Sequence, residues 1–137
     1  DQIIQRREWS AQALNGHLTD VVRTHLLQLM TSARGPLDQI VLDMAHSVGA
    51  AAFVRQNEAL ISREDMRPIL PLLNIPTLVV CGDRDVYCPV ELHRDFAGRL
   101  ADSEMRIVGS CGHLSSLEQP HAVTELLLEW MQRRAGW

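Results

Sequence analysis

The spacing of apolar positions along the chain changes once, near residue 74. Before that point they recur at helical intervals of three and four. Val21, Val22, Leu26, Leu29 and Met30 share one helical face with His25, and Thr19 is the expected N-cap with Asp20 in the first turn. Asn15-Gly16 separates this helix from an earlier one containing Trp9, Ala13 and Leu14. Gly35-Pro36 breaks the chain again, and Pro36 suits the first turn of a following helix. That helix puts Ile40, Val41, Met44, Ala45, Val48 and Ala52 on one side and runs on, or bends at Gly49, towards Leu60 and Ile61. No strand is expected before Pro68.

From Asn74 the pattern is that of a sheet. Ile75 to Cys81 is a continuous apolar run ended by Gly82, which suits a strand buried on both faces in a parallel sheet. Pro76 can stand only at its start. Pro89 opens a helix through Leu92, Phe96 and Leu100, and a second short strand runs from Glu104 to Val108. After the loop Gly109-Ser110-Cys111-Gly112-His113, a final helix covers about Pro120 to Arg133, with Val123, Leu126, Leu127, Trp130 and Met131 as its apolar stripe. Strand–helix–strand–helix implies a parallel βαβ unit. The fold class is α/β, with residues 1–73 as a helical segment and 74–137 as the end of a parallel sheet.

Composition narrows the function classes. With 46% apolar and 22% charged residues in 137, the chain has enough apolar surface for a core and the size of one domain. No apolar run approaches the ~20 residues of a membrane span, and no signal peptide opens the sequence, so no membrane partner is expected. The chain lacks a starting Met, so Asp1 is not expected to be the native start. The net charge is −4, and no basic patch marks a nucleic-acid binder. All 13 basic residues are Arg. The three cysteines, Cys81, Cys88 and Cys111, are too few and too odd for a disulfide framework, and suit a reducing compartment such as the cytoplasm. Together with His113 they could be written as a zinc set, but they lack the close ligand pairs of structural zinc sites.

Each strand end delivers one distinctive polar group. Gly82-Asp83-Arg84-Asp85 follows the first strand and Gly112-His113 the second. In parallel α/β sheets, sites form beyond the carboxyl ends of the strands. A buried carboxylate bonded to one imidazole nitrogen fixes the tautomer and leaves the other nitrogen as a general base, which is two-thirds of a nucleophilic triad. Asp83 reads as a turn residue and Glu118 as a group capping or pairing near the start of the last helix.

These residues resemble the C-terminal end of the α/β-hydrolase superfamily. The resemblance is carried by Ile75-Pro76-Thr77-Leu78-Val79-Val80-Cys81-Gly82-Asp83-Arg84-Asp85 with Pro89 following, and by Cys111-Gly112-His113-Leu114-Ser115-Ser116-Leu117-Glu118-Gln119-Pro120. It implies Asp85 as the triad acid and His113 as the triad base. The preceding helices resemble the family's cap, with Arg55 to Leu60 and Arg63-Glu64-Asp65 similar to its end. The implied activity is serine-type hydrolysis of a small-molecule ester or lactone. Some members instead use an Asp nucleophile on epoxides or haloalkanes, or cleave C–C bonds, and this half of the fold does not separate these chemistries. No organic cofactor or metal is implied.

The superfamily's chain order is nucleophile, acid, His, and its Gly-x-Ser-x-Gly elbow precedes the cap. No such elbow precedes residue 40, so the nucleophile is expected in a missing N-terminal half, with this chain alone inactive. The expected partner is that half or a second copy of the chain. One stretch offers an alternative, a compact hydrolase using Ser47 in Ala45-His46-Ser47-Val48-Gly49. Against it, Asp43 would fall in a buried strand, the local spacing is helical, and only 38 positions separate Ser47 from Asp85. The rival class is a non-catalytic association module.

Overall fold

A computed structural model describes residues 2–30 and 35–135. They fall into two compact units, one of residues 2–28 and 35–64, the other of 29–30 and 65–135. The division therefore lies near residue 64, earlier than the change in apolar spacing, and Leu29 and Met30 go with the second unit.

The first unit is helical. α1 (Gln2–Gln12) continues through a wide turn broken at Gly16, whose φ of 90° lies in the left-handed region that glycine tolerates. α2 (Leu18–Val21) follows, and α3 (Pro36–Ile61) packs against both. Thr19 lies inside α2 and is not its N-cap; the side chain instead bonds His46 Nε2 at 2.9 Å. Ala13, Leu18, Val21, Val22, Val41 and Leu42 are buried. A polar chain joins α1 to α3: Arg6 donates to Asn57 Oδ1, Asn57 Nδ2 donates to Ser10 Oγ, and Ser10 donates to the Arg6 carbonyl. These bonds satisfy Asn57, which is only 3% exposed.

α3 departs from the expected face. Pro36 opens it as predicted, and Gly49 (φ 74°, ψ 161°) bends it. Ile40, Met44 and Val48, placed on the buried side by spacing, are exposed, while Val41 and Leu42 are buried. By length and composition α3 is apolar enough to cross a membrane, which the sequence reading did not foresee.

The second unit holds β1 (Thr77–Gly82), α4 (Val90–Arg99), β2 (Ser103–Val108), α5 (Ser115–Glu118) and α6 (Pro120–Ala135). β1 and β2 pair in parallel, from Thr77 opposite Ser103 to Gly82 opposite Val108. Pro76 stands just before β1, where its missing N–H costs no ladder bond. α4 packs on both strands and α6 on β2. Leu70, Val79, Ala97 and Leu100 form the buried core, flanked by Leu73 and Met105. The parallel register brings the carboxyl ends of both strands to one side, which is where the candidate site lies.

Candidate active site

β1 stops at Gly82 because the chain must pass under the loop that follows β2. A β-carbon at Gly82 would overlap the carbonyl oxygens of Cys111 and Gly112, so only glycine allows the two strand ends to approach this closely. The backbone then zips the ends together: Asp83 N–H donates to the Val108 carbonyl and Arg84 N–H to the Cys111 carbonyl, each at 2.9 Å.

Asp85 lies at the turn beyond this seam. Its Oδ1 accepts the N–H groups of Tyr87 (2.9 Å) and Cys88 (2.8 Å), and its Oδ2 meets His113 Nδ1 at 2.8 Å. The Asp85 side chain is 4% exposed, against 31% for His113. Burial alone pushes the Asp85 carboxyl up. The Cys88 N–H, the hydrogen bond and charge of His113, and the Tyr87 N–H outweigh it and hold the group below its ordinary value. Asp85 is therefore ionised at neutral pH and can only accept. Nδ1 of His113 must carry the proton in this pair, which leaves Nε2 as the basic nitrogen. Nε2 takes no hydrogen bond from the described residues, and the Tyr87 ring meets the imidazole edge-on at 5.2 Å.

The structure thus brings Asp85 and His113 together. Ser47 sits in the body of α3, where its hydroxyl donates to the Asp43 carbonyl at 2.8 Å. An elbow needs a strand running into a sharp turn before the nucleophile. Gly35 and Pro36 start a helix there instead, so the Ala45–Gly49 stretch does not form that geometry.

Burial and the charges of Glu118, Asp83 and Asp85 push the Cys111 thiol up to about 11, and burial raises Cys81 as well. Both are neutral, poorly nucleophilic thiols at pH 7. Among the described residues no group of three or more His, Cys, Asp or Glu side chains is placed to hold a metal ion.

Two groups that matter to this loop escaped the sequence reading as parts of the site. Asp83 accepts the Cys111 N–H at 3.0 Å, and Glu118 accepts the Gly112 N–H at 3.1 Å. The only signal for them was position, two residues before Asp85 and five after His113.

No family model matches the chain. It is 24% identical over 144 aligned positions to a 2-hydroxy-6-oxo-6-(2'-aminophenyl)hexa-2,4-dienoic acid hydrolase from Metapseudomonas resinovorans, covering 97% of this chain and 49% of that protein. Among solved structures it superposes on an esterase from Thermogutta terrifontis with a TM-score of 0.89 at 22% identity, covering 96% of this chain and 50% of the other. The enol-lactonase from Burkholderia xenovorans LB400 superposes with a TM-score of 0.77 at 20% identity, covering 94% and 49%. The chain spans half or less of the length of the curated relatives it matches. It carries the C-terminal part of the α/β-hydrolase fold.

Proposed function

We propose that this chain supplies the acid and the base of a serine-type α/β-hydrolase that acts on a small-molecule ester or lactone. The observation that carries the proposal is the 2.8 Å contact between the buried, ionised Asp85 and His113 Nδ1 at neighbouring strand ends. The curated relatives are hydrolases by name, which supports hydrolytic chemistry; the ester or lactone class is the finer part of the proposal.

In this reading residues 2–28 and 35–64 correspond to a cap and residues 65–135 to the end of the core sheet. The nucleophile is a serine in a segment preceding Asp1. His113 Nε2 takes the serine proton as the oxygen attacks the substrate carbonyl, and returns it to the departing alkoxide. Water then attacks the acyl-enzyme carbonyl, giving a proton to Nε2, and that proton passes to the serine oxygen as the acyl–serine bond breaks and the acid leaves. Asp85 orients the imidazole and stabilises its protonated form. A reducing, cytoplasmic setting belongs to the same reading, because three cysteines are too few and too odd for a disulfide framework. A second reading, an association module, is favoured by the open edge of β1, whose sheet among the described residues has only two strands.

Short p-nitrophenyl esters test the proposal. In the full-length product containing this chain, Asp85→Asn is expected to lower kcat about 10⁴-fold and His113→Ala about 10⁶-fold, with little change in KM. Unchanged turnover in either variant removes the assignment. The 137-residue chain alone is expected to show no turnover above background. Turnover that disappears in Ser47→Ala would make Ser47 the nucleophile.

A further inference from the structure

The loop bearing His113 is strapped by two carboxylates that have no part in the Asp85 pair. Glu118, only 9% exposed, accepts the Gly112 N–H at Oε2 (3.1 Å) and the Leu114 N–H at Oε1 (3.3 Å). Asp83 accepts the N–H groups of Cys111 (3.0 Å) and Ser110. His113 N–H itself donates to the Leu29 carbonyl at 2.8 Å. Every backbone N–H from Ser110 to Leu114 is thereby committed. Ser110 is held with φ at 52°, a left-handed conformation unusual outside glycine, and its carbonyl accepts Gln119 Nε2 at 3.3 Å.

Helix capping explains only part of this. A glutamate reaching back to the N–H at the start of α5 satisfies an orphan donor of that helix, as in a capping box. Capping requires nothing of the Gly112 N–H, which lies on the other side of His113. One buried carboxylate gripping the residues before and after the histidine fixes the path of the backbone through it, and hence the direction of its Cα–Cβ bond. Such bonds are charge-assisted and stronger than neutral ones.

We infer that Glu118 is a positioning residue for His113, with Asp83 as its counterpart on the β1 side. The inference rests on the functional reading above. It adds that the imidazole is aimed by Glu118 through the main chain as well as by Asp85 through the ring.

The test is the ring Nδ1–H resonance of His113 in the histidine-labelled 137-residue chain, identified by its loss in His113→Gln. Glu118→Gln keeps the size of the side chain but turns one of its two acceptors into a donor, and Glu118→Ala removes both. Exchange of the Nδ1 proton with solvent is expected to quicken about 10-fold or more in Glu118→Gln, and further in Glu118→Ala, while Glu118→Asp restores part of the protection. In the full-length product Glu118→Gln is expected to lower kcat about 10-fold with KM unchanged, the pattern of a misaligned base. Unchanged exchange in a folded Glu118→Gln overturns the inference. Loss of folding in both Glu118→Gln and Glu118→Ala overturns it too, because the role is then general packing. Asp85→Asn separates the two proposals. If it leaves the Nδ1 proton unchanged, the pair and the functional reading fail. If it alters the proton and Glu118→Gln does not, only the Glu118 inference fails.

Discussion

At the scale of single residues, the tightest constraint on the site falls on a residue with no side chain. A methyl group at Gly82 would overlap main-chain atoms of Cys111 and Gly112, and main chain cannot rotate aside as a flexible side chain can. Gly82→Ala is therefore expected to destabilise the protein by about 1–3 kcal/mol or more, the usual cost of overpacking. A urea unfolding midpoint equal to that of the unaltered chain would refute this. That Asp85 and His113 lie at neighbouring strand ends was legible in the sequence, because one follows the apolar run of β1 and the other stands in the loop after the short segment that forms β2. Asp83 and Glu118 were not legible in their full role. Their partners are backbone N–H groups of a loop whose conformation leaves no periodic trace, so a turn and a cap were the readings the residue types allowed.

At the scale of elements, the sheet was more legible than the helices. The run Ile75–Cys81 and the segment Glu104–Val108 appear as β1 and β2 with ends shifted by one or two residues. The apolar face of α3 was misjudged in the stretch before Gly49: Ile40, Val41, Leu42, Met44 and Val48 make a wide apolar stripe, and spacing alone does not tell that only Val41 and Leu42 of it are covered. β1 also carries a consequence. Its free edge and the side of α4 form an apolar groove of about 550 Å³ along Thr77, Val80, Leu92 and Phe96. Leu92 is 59% exposed and Phe96 40%. An edge strand with open donors and acceptors beside such a groove is a template for pairing. The 137-residue chain is expected to self-associate at micromolar concentration when alone. Light scattering decides this: a monodisperse 15.4 kDa monomer that binds no hydrophobic dye would show that the groove needs no cover.

At the scale of the whole molecule, the second unit contains Leu29 and Met30 as well as everything from Asp65 to the end of α6. The main chain leaves that unit, builds α3, and comes back. The bond from His113 N–H to the Leu29 carbonyl spans 84 positions, whereas the Asp85–His113 pair spans 28. Closing the threefold longer loop costs about 1 kcal/mol more in chain entropy. Contacts of long sequence separation also tend to be the slow ones. Folding order follows from that difference. The strands and the acid–base pair assemble among themselves, and the anchoring of the His113 amide to Leu29 comes last. Pulse-labelled hydrogen exchange during refolding is expected to find the Val79 and Cys81 amides, which face β2, protected before that of His113. Protection of all three in one phase would show that the distant anchor forms together with the sheet.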